Sequence, residues 1–150
     1  EPSRDAQALA QARGVQILGA TPADLAAAGR RFDVITAIDV IEHVPDPVPL
    51  LTEAARVLKP GGQLILTTGD WGSAYAQRHG ADWHLMTPPW HLTMFSRATM
   101  ARAAGRAGLR VVACASEGVA GDGPFWRHRA GLLLGRLLDR GDILRMTLAR

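Results

Sequence analysis

The residues of this chain best suited to chemistry come first at Asp39, Glu42 and His43, in the run FDVITAIDVIEHVPDP. Two carboxylates and an imidazole so close together offer hydrogen-bond acceptors, ligand atoms and one group that titrates near neutral pH. The preceding residues give them a place. Phe32 to Ile38 is a short apolar run rich in β-branched side chains and without polar alternation. That pattern predicts a parallel strand buried on both faces, and so a central one. In an open α/β sheet the ligand crevice lies beyond the carboxyl ends of the strands, where these three residues fall. A plainer role stands beside this one, in which Glu42 and His43 cap and orient the next helix.

The elements that hold this corner are legible from their ends. Asp46 can cap the free amides of a helix, Pro47 suits its first position, and Leu50, Leu51, Ala54, Ala55 and Leu58 recur on one face. Lys59-Pro60-Gly61-Gly62 stops that helix, and Leu64 to Thr68 returns as a second buried strand. Strand, helix and strand in this order predict a βαβ unit with its two strands parallel.

FDVITAIDVIEHVPDP followed by ARVLKPGGQLILTT resembles the post-I region of class I S-adenosylmethionine-dependent methyltransferases, in the branch that includes ubiquinone-type O-methyltransferases. The resemblance implies an α/β fold: a three-layer Rossmann-like sheet, mostly parallel with an antiparallel last strand, its N-terminal strands missing. It implies S-adenosylmethionine as cofactor. Glu1, in a phrase similar to the Glu-Pro-Ser that ends the family's second strand, becomes the ribose ligand, because a carboxylate accepts two hydrogen bonds from a vicinal diol. Ala20 and Thr21 fall near the adenine, although Thr21 could equally cap a short helix; Ile38 and Asp39 fall at the cofactor's edge. No GxGxG-like or GxGxxG-like run occurs in the 150 residues, so the chain is expected to be a fragment or to lack its first part.

Members of this branch carry an ExxEH pattern that holds a divalent metal, and in small-RNA 2′-O-methyltransferases a further histidine completes the site. The resemblance therefore implies Asp39, Glu42, His43 and His91 as metal ligands, with Asp39 one methylene shorter than the family's Glu. A divalent ion such as Mg²⁺ or Mn²⁺ would lower the pKa of an acceptor hydroxyl and orient its oxygen toward the methyl group. Without metal, His43 or His91 would act as the general base.

The rest of the chain frames this site. Ser3 to Arg13 predicts a helix with Ala6, Leu9 and Ala10 inward, Val15 to Leu18 a short strand, and Ser96 the cap of a helix stapled by Phe95 and Met100. Leu109 to Ala115 is expected to be a buried strand and Ile143 to Ala149 the closing one. Residues 69–95 hold Trp71, Trp83, Trp90 and Tyr75 without clear periodicity, which predicts a lid or acceptor loop with an aromatic floor, or equally a loop that its tryptophans fasten to the domain body. Residues 124–140 place leucines and Phe125 and Trp126 against four arginines, an amphipathic helix suited to the domain body, a second subunit or a membrane surface.

Composition narrows the class. A single domain with 47% hydrophobic and 21% charged residues is globular, and no apolar run is long enough to cross a bilayer. The lone Cys114 fits a reducing cytoplasm. The net charge of +3 comes from scattered basic groups, almost all arginine with Lys59 the only lysine, which reads as a solvated surface and argues against a nucleic-acid partner. The leading reading is O-methylation of a small or lipid-like acceptor. A non-catalytic binding or assembly module that has lost its cofactor site remains open. A nucleotide-dependent dehydrogenase is disfavoured by the LKPGG turn and by the absence of a dinucleotide fingerprint.

Overall fold

The apolar run Phe32–Ile38 forms strand β1 with the bounds its sequence predicts. The structure is a computed structural model that describes residue 1, residues 3–117 and residues 141–150. Before β1 come α1 (Arg4–Ala12) and α2 (Pro22–Ala27); after it come a 3-10 turn (Ile41–His43), α3 (Pro47–Val57) and β2 (Leu58–Gly69). Then follow α4 (Ala74–His79), a second 3-10 turn (Gly80–Asp82), α5 (Arg97–Arg106), β3 (Arg110–Glu117) and β4 (Ile143–Ala149).

The four strands form one mixed sheet in the order β1-β2-β4-β3. β1 and β2 are parallel, as the βαβ reading requires, while β4 runs antiparallel to both of its neighbours. Three strands thus share a direction, and the last opposes them.

The helix caps follow the sequence closely. Asp46 accepts from Val48 N–H at 3.0 Å, with Pro47 opening α3. Ser96 and Thr99 form a reciprocal capping box on α5, satisfying amides that the first turn would leave unpaired. α3 and α5 bury Leu51, Ala54, Ala55, Met100, Ala103 and Ala104 against Leu64 and Leu66 of β2 and Leu144, Met146 and Leu148 of β4. Each fully buried Leu or Met there contributes about 1.5–3 kcal/mol.

The Lys59-Pro60-Gly61-Gly62 turn is realised inside β2. Phe32 pairs with Leu58 and Val34 with Gln63, so four residues loop out opposite Asp33. Glycine is required at position 62, where a Cβ would meet the carbonyl oxygens of Phe32, Asp33 and Lys59 at 3.0 Å each.

Four expectations are corrected. Among the described residues β1 is an edge strand, not a central one; Ile35 and Ala37 pack against the core, but Val34 and Ile38 are 53% and 52% exposed. β3, at the other edge, is likewise open, with Val111 and Val112 exposed instead of buried. Val15–Leu18 forms no strand, since among the described residues no strand pairs with it. α1 is capped by Ser3 as expected but has no buried residue, and Leu9 points to solvent.

The stretch expected to be an irregular loop over 69–95 contains α4, capped by Ser73, and the turn Gly80–Asp82. The amphipathic segment 124–140, with its proposed membrane or subunit contact, lies outside the described residues. Among the described residues, no helix is long and apolar enough to cross a membrane.

Candidate active site beyond strand β1

The chain leaves β1 through a single unusual residue. Asp39 N–H still donates to the Thr67 carbonyl at 3.1 Å, which extends the β1–β2 ladder by one step. Asp39 then takes φ 51°, a left-handed conformation that Asp tolerates better than most residues, and its Oδ1 accepts from the Thr67 hydroxyl at 3.1 Å. This reversal turns the backbone off the strand and into the 3-10 turn. There Ile41 is buried at 1% exposure, and Glu42, at 3%, is drawn inside with it.

His91 reaches the same place from the loop before α5. The loop is fastened to the turn by the Glu42 carbonyl, which accepts from Leu92 N–H at 2.8 Å and Thr93 N–H at 3.2 Å. The His43 and His91 rings stand edge to face, 4.8 Å apart. Ligand-type atoms of Glu42, His43 and His91 all lie within 4.8 Å of one another.

Hydrogen bonding selects the nitrogens left free to accept a ligand. His43 Nδ1 lies 2.8 Å from the Trp90 carbonyl, and His91 Nδ1 lies 2.6 Å from the Leu85 carbonyl. A carbonyl can only accept, so each Nδ1 carries the hydrogen and each neutral ring keeps its lone pair at Nε2. Backbone carbonyls holding one ring nitrogen are the usual outer support of a metal-ligating histidine. Glu42 Oε2 completes the set: it is buried and lacks a hydrogen-bond partner. A buried polar atom without a partner calls for an explanation, and a divalent cation accepted by one carboxylate and two imidazoles supplies one. These donors fit such an ion.

Three of the four residues expected as ligands are thus brought together. Asp39 is not; its carboxylate is turned to Thr67 and stays outside the group.

The expected cofactor residues also divide. Glu1, Ala20 and Thr21 line a cavity of about 560 Å³ whose other wall includes Val40, Ile41, Val44 and Asp46, directly behind the acidic turn. Glu1 is exposed; its amino group donates to the Ala20 carbonyl at 3.2 Å, and its Oε1 accepts from Ser3 N–H at 2.9 Å. Thr21 caps α2 in a reciprocal box with Asp24. Hydrogen bonds from the Thr21 amide and hydroxyl, and from the Ala20 amide, hold the Asp24 carboxyl below its ordinary range. Ile38 and Asp39 are not among the residues lining this cavity.

The loop tryptophans separate by burial. Trp83 is 1% exposed, donates from Nε1 to Asp142 Oδ2 at 3.1 Å, and lies against Gly69, where a Cβ would come within 2.6 Å of the ring. Trp71 packs on Trp83 with ring centroids 5.8 Å apart. Trp90 is 73% exposed and is the one whose ring is turned outward. Sequence reasoning missed the carbonyls of Leu85 and Trp90, and it missed Thr67 and Asp142. Backbone acceptors leave no trace in side-chain identity, and the only readable sign was a glycine closing β2.

An open α/β sheet with an antiparallel last strand, and the Asp39–His43 turn beyond the end of β1, match the architecture of the class I S-adenosylmethionine-dependent methyltransferases. Residues 1–114 match the family described as methyltransferase domain, and the chain belongs to that family. A ubiquinone biosynthesis O-methyltransferase of Cereibacter sphaeroides is 52% identical over 48 residues, which are 32% of this chain and 19% of that protein. The match therefore spans about a fifth of that curated relative. Among solved structures, an S-adenosylmethionine-dependent methyltransferase of Thermotoga maritima, described as a possible histamine N-methyltransferase, aligns over 99% of this chain and 70% of its own, with TM-score 0.67 and 21% identity. An O-methyltransferase of neocarzinostatin biosynthesis, in complex with S-adenosylhomocysteine and 1,4-dihydroxy-2-naphthoic acid, covers 78% of this chain and 29% of its own, with TM-score 0.52 and 16% identity. Both structures are alike in fold.

Proposed function

We propose that this domain transfers the methyl group of S-adenosylmethionine to a hydroxyl oxygen of a small apolar acceptor, and that Glu42, His43 and His91 handle that oxygen. The observation that carries the reading is the convergence of a buried, unpartnered carboxylate oxygen with two imidazoles whose Nδ1 atoms are already engaged. The name of the ubiquinone biosynthesis O-methyltransferase matched over 48 residues supports oxygen as the methylated atom.

S-adenosylmethionine supplies an electrophilic methyl on a sulfonium, and a divalent ion, when bound, lowers the pKa of the acceptor hydroxyl. Glu1 accepts hydrogen bonds from the ribose diol, with Ala20 and Thr21 beside the base in the cavity they share. Val40, Ile41 and Val44 form its apolar wall and exclude water from the donor. Nε2 of His43 or His91 receives the acceptor's proton where no ion holds the oxygen. Glu42, His43 and His91 are the residues that would hold such an ion. Trp90 offers an exposed ring next to His91 for a flat acceptor. The one cysteine of the chain, the half-buried Cys114, supports a reducing, cytoplasmic setting.

Calorimetric titration with S-adenosylhomocysteine, with and without Mn²⁺, tests the proposal. Saturable heat is expected for S-adenosylhomocysteine, and a separate Mn²⁺ binding event is expected to vanish in His43→Ala. Absence of any S-adenosylhomocysteine heat in a chain extended upstream of Glu1 would remove the methyl-transfer reading, and Mn²⁺ binding unchanged in His43→Ala would remove the ion.

A further inference from the structure

We infer that Asp142, at the entrance to β4 and outside the Glu42–His43–His91 group, is the positioning residue that fixes how His91 presents Nε2. The inference rests on the role proposed above for His91.

Asp142 is 1% exposed, yet its carboxylate has a sparse set of partners. Oδ2 accepts from Trp83 Nε1 at 3.1 Å and lies 3.7 Å from His84 Nδ1. Burying a carboxylate is costly, so its partners identify what it is held there to do. Both belong to the start of the segment that carries His91.

The path from Asp142 to His91 is short and consists of hydrogen bonds. Trp83 is gripped between Asp142 and the bare face of Gly69, and its carbonyl accepts from Met86 N–H at 2.8 Å, closing a turn around His84 and Leu85. That turn brings the Leu85 carbonyl to His91 Nδ1 at 2.6 Å. The far end of the segment is pinned separately, where Leu92 and Thr93 donate to the Glu42 carbonyl. The anchor at Glu42 sets where His91 sits, and the anchor at Asp142 sets which of its nitrogens carries the hydrogen. An imidazole without the Leu85 carbonyl would exchange freely between its two tautomers and offer its lone pair at Nε2 only part of the time.

Imidazole ¹⁵N spectra of the ion-free protein at pH above the histidine range read this directly. In the unsubstituted protein His91 is expected as a single Nδ1–H tautomer. In Trp83→Phe, which keeps an aromatic ring of smaller size but loses the indole N–H, and in Asp142→Leu, its two nitrogen shifts should move toward a common average. Asp142→Asn should restore the native pattern, because its amide oxygen still accepts from the indole. His79 is an internal control: its Nδ1 lies 2.8 Å from the Tyr75 carbonyl within α4, so its shifts report whether the fold persists. If Asp142→Leu disturbs His79, Trp83→Phe decides. A His91 that keeps its native pattern in Trp83→Phe with His79 unchanged overturns the inference. Mn²⁺ affinity should fall about 10- to 100-fold in Trp83→Phe, the range for losing outer support of a ligand. An unsubstituted protein that binds no Mn²⁺, yet shows the expected tautomer response, would sink the ion reading and leave Asp142 in its role.

Discussion

A carboxyl oxygen buried without a partner costs the folded state about 1–3 kcal/mol, and Glu42 carries one at 3% exposure. Such a group makes sense where binding, and not stability, fixes the residue. Glu42→Met keeps the length of the side chain and removes the unpaired oxygen. In chelator-treated protein it is expected to raise stability by about 1 kcal/mol, which for a domain of this size is about 2–4 °C in Tm, while abolishing Mn²⁺ binding. A fall in Tm would mean that Oε2 is satisfied in the native state and that the site needs another explanation. At this scale the sequence was informative about chemistry and silent about direction. The DxxEH spacing announced Asp39, Glu42 and His43 together, but the left-handed φ at Asp39 sends its carboxylate to Thr67, while Glu42 turns inside and His43 stays exposed beside it. A backbone reversal of one residue cannot be read from side-chain types.

At the level of elements, local signals were obeyed wherever the interaction was local. β1 and β4 take the predicted bounds, Asp46 and Ser96 cap α3 and α5, and Thr21 caps α2. Signals failed where the outcome depended on a distant neighbour: Val15–Leu18 needed a pairing strand and α1 needed a surface to bury against. Two predictions belong here. Gly69→Ala would drive a Cβ to within 2.6 Å of the Trp83 ring, which is buried and tied to Asp142 and so cannot swing aside. A loss of about 1–3 kcal/mol is expected from this overpacking, together with weaker Mn²⁺ binding through the displaced loop; native stability and affinity in thermal and titration measurements would contradict it. The second concerns pH. The Asp24 carboxyl is held below its ordinary 3.8 by the Thr21 and Ala20 donors, so its contribution to α2 is present above that value and lost as pH falls through the lowered one. The helical Cα shifts of residues 22–27 should therefore hold to about pH 4 and decline below it, and the decline should be absent in Asp24→Asn.

For the molecule as a whole, the continuous apolar pattern of β1 was legible and its position in the sheet was not. A run such as Phe32–Ile38 reads as buried on both faces, yet among the described residues β1 pairs only with β2 and leaves its other edge open. Beside that edge lies a cavity of about 510 Å³, lined by Val34 and Ile35 on one side and by Ile17, Leu18 and Gly19 on the other. An edge strand with unpaired amides and carbonyls and exposed apolar side chains is a template for another extended segment. The 150-residue chain is therefore expected to self-associate as its concentration rises. Val34→Lys, at a position 53% exposed, should return it to monomer with a change in stability within about 0.5 kcal/mol, because charge on an edge blocks pairing while a surface substitution costs little. Sedimentation velocity across a hundredfold range of concentration measures both proteins. If the unsubstituted chain sediments as a monomer throughout, the edge of β1 is not an associating surface. If Val34→Lys associates as strongly as the unsubstituted chain, the contact lies elsewhere.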